Sequence, residues 1–188
     1  MTLRNITCAV TLCLLTLSGQ AVGKTEVPPY KNKSLSIEKR VDDLMGRMTL
    51  REKVLQLQNR GAGRLDEIDR IFNGESFGCT HEMGTTAAEC ATMYKELQQY
   101  MLTKTRLGIP IITSAEGIQG ILQNNCTLFP HALAQGSTFN PALIQRMTEA
   151  AGEEAKVIGI HQILSPVLDI ARELRWGRVE ETFGAVSY

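Results

Sequence analysis

Between Ile37 and Met48 the apolar residues fall at Ile37, Val41, Leu44, Met45 and Met48, which is one face of a helix. Thr49-Leu-Arg-Glu52 has the form of a capping box, hydroxyl and carboxylate each satisfying an orphan amide. It predicts a second helix with Leu50, Val54 and Leu57 turned inward. From Asn59 to Thr85 the chain is glycine-rich and without period, so irregular structure is expected. Helical spacing returns from Thr86 to Thr105 through Ala87, Cys90, Tyr94, Leu97 and Met101, with Gly108 as the C-terminal cap. Ile109-Pro-Ile-Ile-Thr113 predicts a buried parallel strand after a crossover helix, and Phe129 to Phe139 predicts another strand. His131 is expected to pack near the start of that second strand, with no nucleophile at a recognisable spacing. Asn140-Pro141 then supplies an N-cap and a proline at the first helical position. Leu143, Met147, Ala150, Ala151 and Ile158 mark the buried side of that helix, and Gly159 its end. Finally Ile163 to Leu168, broken by Pro166, predicts a buried strand that delivers Asp169 to a loop at its C-terminal end.

The chain has 188 residues, 43% hydrophobic and 21% charged, with 20 basic and 20 acidic side chains. That is a globular composition, and with neither net charge nor a basic cluster no nucleic-acid partner is expected. The N-terminus differs. Arg4 precedes an apolar run from Ile6 to Leu17, followed by small residues up to Gly23, which is the pattern of a secretory signal peptide over 1–23. The run is shorter than the ~20 residues that span a bilayer. A secreted or periplasmic protein, off the membrane after cleavage, is therefore expected. Residues 24–36, with Pro28-Pro29, read as a leader into one domain over 37–188.

Cys8 and Cys13 would leave with the signal, and Cys79, Cys90 and Cys126 allow at most one internal disulfide. Cys79 and Cys90 are the nearest pair, but spacing leaves the pairing open. As a metal set, Cys79, His81 and Cys90 lack a fourth ligand at familiar spacing, and neither metal nor cofactor is expected. Gly61-Ala-Gly63 lacks the third glycine and preceding strand of a nucleotide loop. Asn32-Lys-Ser34 and Asn125-Cys-Thr127 are glycosylation sequons in a eukaryotic setting only.

The chemistry is concentrated after Asp169, where Arg172, Glu173, Arg175, Trp176, Arg178, Glu180 and Glu181 crowd into one loop. Guanidinium forks, carboxylates and an indole suit a ligand rich in hydroxyls. From composition alone a structural salt-bridge loop anchored by Trp176 is the favoured reading, because ion-pair networks are common and sites are few. A second acidic residue, Glu116 in Ser114-Ala-Glu-Gly-Ile-Gln-Gly120, follows the Ile109–Thr113 run directly. The C-terminal tip of a parallel strand is where barrel enzymes place ligand-binding groups.

Three stretches carry a resemblance: Arg47 to Leu57, Arg106 to Gly117, and Ser165-Pro-Val-Leu-Asp169 with Arg175-Trp-Gly-Arg-Val-Glu-Glu-Thr-Phe-Gly184. They are similar to the N-terminal domain of glycoside hydrolase family 3, which holds β-glucosidases, β-xylosidases and related exo-acting enzymes. The resemblance covers about Ile37 to Gly184 and implies an α/β fold: an incomplete TIM-type (β/α) barrel, N-terminal portion only, with leading surface helices. A full barrel takes ~250 residues. It implies a retaining exo-β-glycosidase acting on terminal β-D-glucosyl or xylosyl residues, with a β-linked oligosaccharide or glucoside as substrate. The resemblance further implies that Glu116 and Arg178 hold the sugar, that Trp176 and Gly177 shape the loop that aims Arg178, and that Glu181 braces that loop rather than touching substrate. No catalytic residue is expected in this chain, because the family's Ser-Asp-Trp-like nucleophile motif and its Lys-His pair do not occur in it. Gln119-Gly120 stands where many members have His-Gly, and Ala185-Val-Ser-Tyr188 follows Gly184 where they continue Glu-Asp-Pro. The expectation is a truncated chain, inactive alone, whose partner is the missing C-terminal part of the enzyme. The alternative is a non-catalytic carbohydrate-binding or partner-completed fragment.

Overall fold

A computed structural model of the chain describes residues 27–61, 63–81 and 85–185. The expected signal peptide and the first residues of the leader lie outside the described residues. The chain divides into two compact units, Met1–Gly46 and Arg47–Tyr188. In the first, a single 3-10 turn, Pro29–Lys31, precedes helix α1 (Ile37–Arg47). Arg40 Nε donates to Tyr30 O (3.0 Å) and Tyr30 N to Asp43 Oδ2 (3.1 Å), which pins the turn to the helix. Of the apolar stripe read from the sequence, Ile37, Val41 and Met45 are exposed, Leu44 is half-buried and Met48 is buried.

The second unit opens with α2 (Leu50–Leu55), and its capping box is formed as the sequence predicts. Thr49 Oγ1 accepts from Glu52 N (3.2 Å) and Glu52 Oε2 from Thr49 N (2.8 Å). The expected inward face is wrong. Leu50, Val54 and Leu57 are exposed and Leu55 is buried, because a six-residue helix has room for one buried position and tertiary contact selects it. The stretch read as irregular also holds regular elements: a 3-10 turn, helix α3 (Ile68–Phe72) and strand β1 (Cys79–Thr80). Each is too short to display a period.

Helix α4 (Ala87–Lys104) carries a second capping box, Thr86 with Glu89, and buries Cys90, Met93, Tyr94, Leu97, Tyr100 and Met101. It ends at Thr105, so Gly108, although left-handed at φ 61°, shapes the following loop rather than the helix end. Strand β2 (Ile112–Glu116) begins three residues later than the apolar run suggests. Before it, Gln98 of α4 clamps the backbone of Ile111, donating to its carbonyl (2.5 Å) and accepting from its amide (3.2 Å). The strand expected within Phe129–Phe139 is instead helix α5 (Ala132–Gly136). The backbone there closes on itself, Gln135 N to His131 O, rather than on a neighbouring strand. Helix α6 (Pro141–Ile158) has the cap and stop the sequence predicts: Asn140 Oδ1 accepts from Leu143 N (3.0 Å), and Gly159 is left-handed at φ 93°.

Strand β3 (Gln162–Leu164) follows. The sheet order is β1-β2-β3, all parallel, with Thr80 opposite Thr113 and Glu116 opposite Leu164. A single parallel bridge, Asn59 to Cys79, extends it beyond β1. The core lies between the sheet and the helices, joining Phe72, Tyr94, Leu97, Met101, Ile111, Ala115 and Ile158. Phe72 packs edge-on to Phe77 with ring centres 5.5 Å apart. The sequence reading of β3 as buried does not hold: Gln162 and Leu164 are exposed and Ile163 half-buried, because β3 pairs on one side only among the described residues. Cys79, Cys90 and Cys126 are thiols, none of them joined in a disulfide among the described residues. Burial first, and then the charge of Glu154, push the Cys126 thiol above its ordinary range.

Candidate active site

Three strands end at one rim. β1 ends at Thr80 and hands the chain to His81, β2 ends on Glu116 itself, and β3 runs through the cis Ser165–Pro166 bond into the loop 167–185. Glu116 is thus the last residue of its strand rather than the first of a loop. Gly117 directly behind it allows close contact with β3, since a Cβ there would stand 2.1 Å from Ile163 Cγ2.

The long loop is tied down at several points. Ala171 N donates to Gly184 O (3.2 Å) and Thr182 Oγ1, fully buried, to Val179 O (2.8 Å). Gly136 of α5 lies against the Phe183 backbone, where a Cβ would meet the carbonyl oxygen at 2.2 Å. Within the loop the charges sort into local pairs. Arg175 holds Glu173 with Nε (2.9 Å) and Nη2 (2.8 Å), and the Arg175 side chain beside Glu173 draws that carboxyl down to about 2. Arg178 holds Glu181 through Nε to both carboxylate oxygens (2.9 Å each) and through Nη2 to Oε2. Glu181 raises the Arg178 guanidinium above its ordinary pKa by hydrogen bonding first and charge second, with smaller contributions from the fields of Glu116 and Asp169. Arg178 in turn lowers Glu181.

The two residues singled out from the sequence lie on neighbouring segments of the rim: Glu116 at the end of β2, and Arg178 in the loop that follows β3. Glu181 is the direct ion-pair partner of Arg178. Trp176 is half-buried and lines a cleft of about 230 Å³ with Asp169, Ile170, Arg172 and Glu173. A larger cavity of about 550 Å³ is walled mainly by apolar residues including Phe139, Ile144, Leu168 and Phe183; Asp169 lines it, and Glu116 and Arg178 do not. His131 is exposed at the start of α5 and near enough to lower Glu181 slightly by charge. Gln119 Oε1 is buried and has no hydrogen-bond partner among the described residues.

One residue at the rim has no sequence signal as a neighbour of Glu116. His81 Nε2 is 3.9 Å from Glu116 Oε1, and its Nδ1 is 3.3 Å from Ser114 Oγ. In the sequence His81 shows only as an incomplete metal set with two cysteines. Its position after a strand could have been noticed, but a two-residue strand leaves no pattern. Among the described residues no group of three or more His, Cys, Asp or Glu is placed to hold a metal ion.

Parallel strands joined by helices, with polar side chains gathered at the strands' C-terminal ends, define an α/β fold of the (β/α)-barrel type. Over residues 49–188 the sequence matches the glycosyl hydrolase family 3 N-terminal domain, and the chain belongs to that family. It is 32% identical over 177 residues to β-glucosidase C of Emericella nidulans, covering 84% of this chain and 28% of that protein. It is 30% identical over 181 residues to a periplasmic β-glucosidase/β-xylosidase of Dickeya chrysanthemi, covering 83% and 27%. Among solved structures it is similar to a β-glucosidase from Erythrobacter marinus, with TM-score 0.65 and 29% identity over 84% of this chain and 22% of that one. It is also similar to a variant β-glucosidase from Listeria innocua in complex with laminaribiose, with TM-score 0.62 and 28% identity over 80% and 21%. The chain spans about a quarter of the length of the curated relatives it matches.

Proposed function

We propose that this chain is the sugar-holding N-terminal part of a retaining exo-β-glycosidase, acting on terminal β-D-glucosyl or xylosyl residues and exported to the periplasm or medium. The observation that supports the reading is placement: Glu116 ends β2 at the strands' C-terminal rim, and Arg178 lies in the loop that follows the neighbouring strand β3. A carboxylate accepts short, charge-assisted bonds from two sugar hydroxyls, and a guanidinium donates a planar fork to others. Such bonds strengthen as the ring becomes oxocarbenium-like, so they act on the transition state more than on the ground state. Glu181 keeps the Arg178 fork oriented until the sugar arrives. The covalent chemistry needs two carboxyl groups ~5–5.5 Å apart across the glycosidic bond. No residue of this chain is assigned to it, and the 188-residue chain alone is expected not to turn over substrate.

Calorimetric titration with methyl β-D-glucopyranoside and its xyloside tests the reading. Glu116→Gln should weaken binding roughly ten- to a hundredfold, the loss expected for a hydrogen bond to a charged group (~1.5–3 kcal/mol). Unchanged affinity would remove Glu116 from the site. Hydrolysis of an aryl β-glucoside by the purified chain, lost on changing Glu116, would overturn the holding-only role.

A further inference from the structure

Ser114, two residues before Glu116 on β2, sets the hydrogen-bond direction toward His81. Ser114 Oγ lies 2.9 Å from Thr80 O, a carbonyl that can only accept, so the single hydroxyl hydrogen goes there. The same oxygen is 3.3 Å from His81 Nδ1 and 3.4 Å from Cys79 Sγ. With its hydrogen committed to Thr80, Ser114 Oγ acts as an acceptor toward His81 Nδ1, while the one Cys79 thiol hydrogen has Thr80 O within reach as well, at 3.6 Å. The neutral His81 ring therefore carries its proton on Nδ1, and Nε2 keeps a lone pair. Nε2 is the atom that faces Glu116 Oε1 at 3.9 Å. The two side chains remain 36% and 39% exposed. This order also excludes a serine nucleophile: Ser114 is buried, and Nδ1, already protonated, cannot take its hydrogen.

A carboxylate oxygen and an imidazole lone pair, side by side and open to solvent, form a pair of acceptors for two neighbouring donors. Adjacent hydroxyls on a pyranose ring present such donors. We propose that His81 is a substrate-binding residue, its Nε2 accepting from the hydroxyl next to one held by Glu116, so that the two residues read a vicinal diol as a unit. This rests on the assignment of Glu116 to the sugar site and names the group that site recognises. A neutral acceptor suits the second place because a second carboxylate would set two like charges together. Ser114 does not reach the sugar; it is a positioning residue that fixes which histidine nitrogen is presented.

The test is calorimetric titration of the full 188-residue chain with methyl β-D-glucopyranoside and each of its monodeoxy analogues, for wild type, His81→Phe, His81→Ala, His81→Gln and Glu116→Gln. In the wild type, removal of either of two adjacent hydroxyls should cost about tenfold. His81→Phe, or His81→Ala where the bulk of Phe prevents folding, should abolish the cost at one of those positions and keep it at the other. His81→Gln retains an acceptor at similar reach and should restore the pattern. A uniform loss of affinity for all analogues in the His81 variants would make the residue merely structural and overturn the proposal. If Glu116→Gln weakens binding while His81→Phe and His81→Ala keep the wild-type pattern, only the His81 assignment falls. If Glu116→Gln leaves binding unchanged, or the wild type binds no sugar, both assignments fall.

Discussion

Gly117 shows how narrowly the rim is set at the scale of a single residue. A methyl group there would stand 2.1 Å from Ile163 Cγ2 and 3.9 Å from Ile121 Cδ1. Cγ2 is a branch on Cβ and cannot swing aside without shifting β3. Gly117→Ala is expected to destabilise the fold by about 1–3 kcal/mol, the usual cost of overpacking, and to move Glu116 with it. Thermal denaturation and sugar titration of the variant would both register the change, and unaltered melting would count against the close approach. Gly177, in the Trp-Gly-Arg stretch, is the control. A Cβ there meets nothing within 4 Å, so Gly177→Ala should leave melting unchanged. The sequence presents both glycines as motif residues; only coordinates distinguish the crowded one from the open one.

Among the elements, α2 is short enough to depend on its cap. Glu52, which completes the capping box, also accepts from Arg106 Nε (2.8 Å) and Nη2 (2.5 Å), and Arg106 Nη2 further donates to Arg47 O (2.9 Å). Arg106 is the first cause that holds the Glu52 carboxyl at about 2, against an ordinary 4.5. Because the folded-state pKa lies below the unfolded one, the stabilisation is complete above pH 4.5 and is lost as the pH falls toward 2. Arg106→Ala should therefore melt below the wild type at neutral pH, with the gap closing across that window. The Arg106 side chain is 54% exposed, so added salt should shrink the gap as well. A gap constant with pH would show that the arginine acts through packing. The Thr49–Glu52 half of this arrangement is local and legible in the sequence. The arginine, 54 positions later, is not. The same limit explains the inverted face of α2 and the strand expected where α5 lies: short apolar stretches take the structure and the face that tertiary contacts give them.

At the scale of the second unit, the sheet ends on β3, which pairs on one side only among the described residues. Leu168 and Phe139, which line the apolar cavity of about 550 Å³, are 86% and 75% exposed, and Leu174 in the loop after β3 is 75% exposed. Unpaired strand edges and apolar patches of this kind invite association. The isolated 188-residue chain is expected to bind a hydrophobic dye in its folded state and to sediment faster as concentration rises. A monomeric mass at all concentrations with one sharp thermal transition would contradict this.

The amino-acid order by itself determined the local signals: the Thr49 box, the Asn140-Pro141 start and the Gly159 stop of α6, and the acidic residue at the end of an apolar run. It also held the Trp-Gly-Arg stretch that marks the family, because each of these is written within a few neighbouring positions. Only the tertiary structure decided that His81, Ser114 and Glu116 meet, that Arg178 pairs with Glu181, and that β3 pairs on one side only among the described residues. Those outcomes depend on strand register and on packing between segments far apart in the chain, and neither has a local period for the sequence to display.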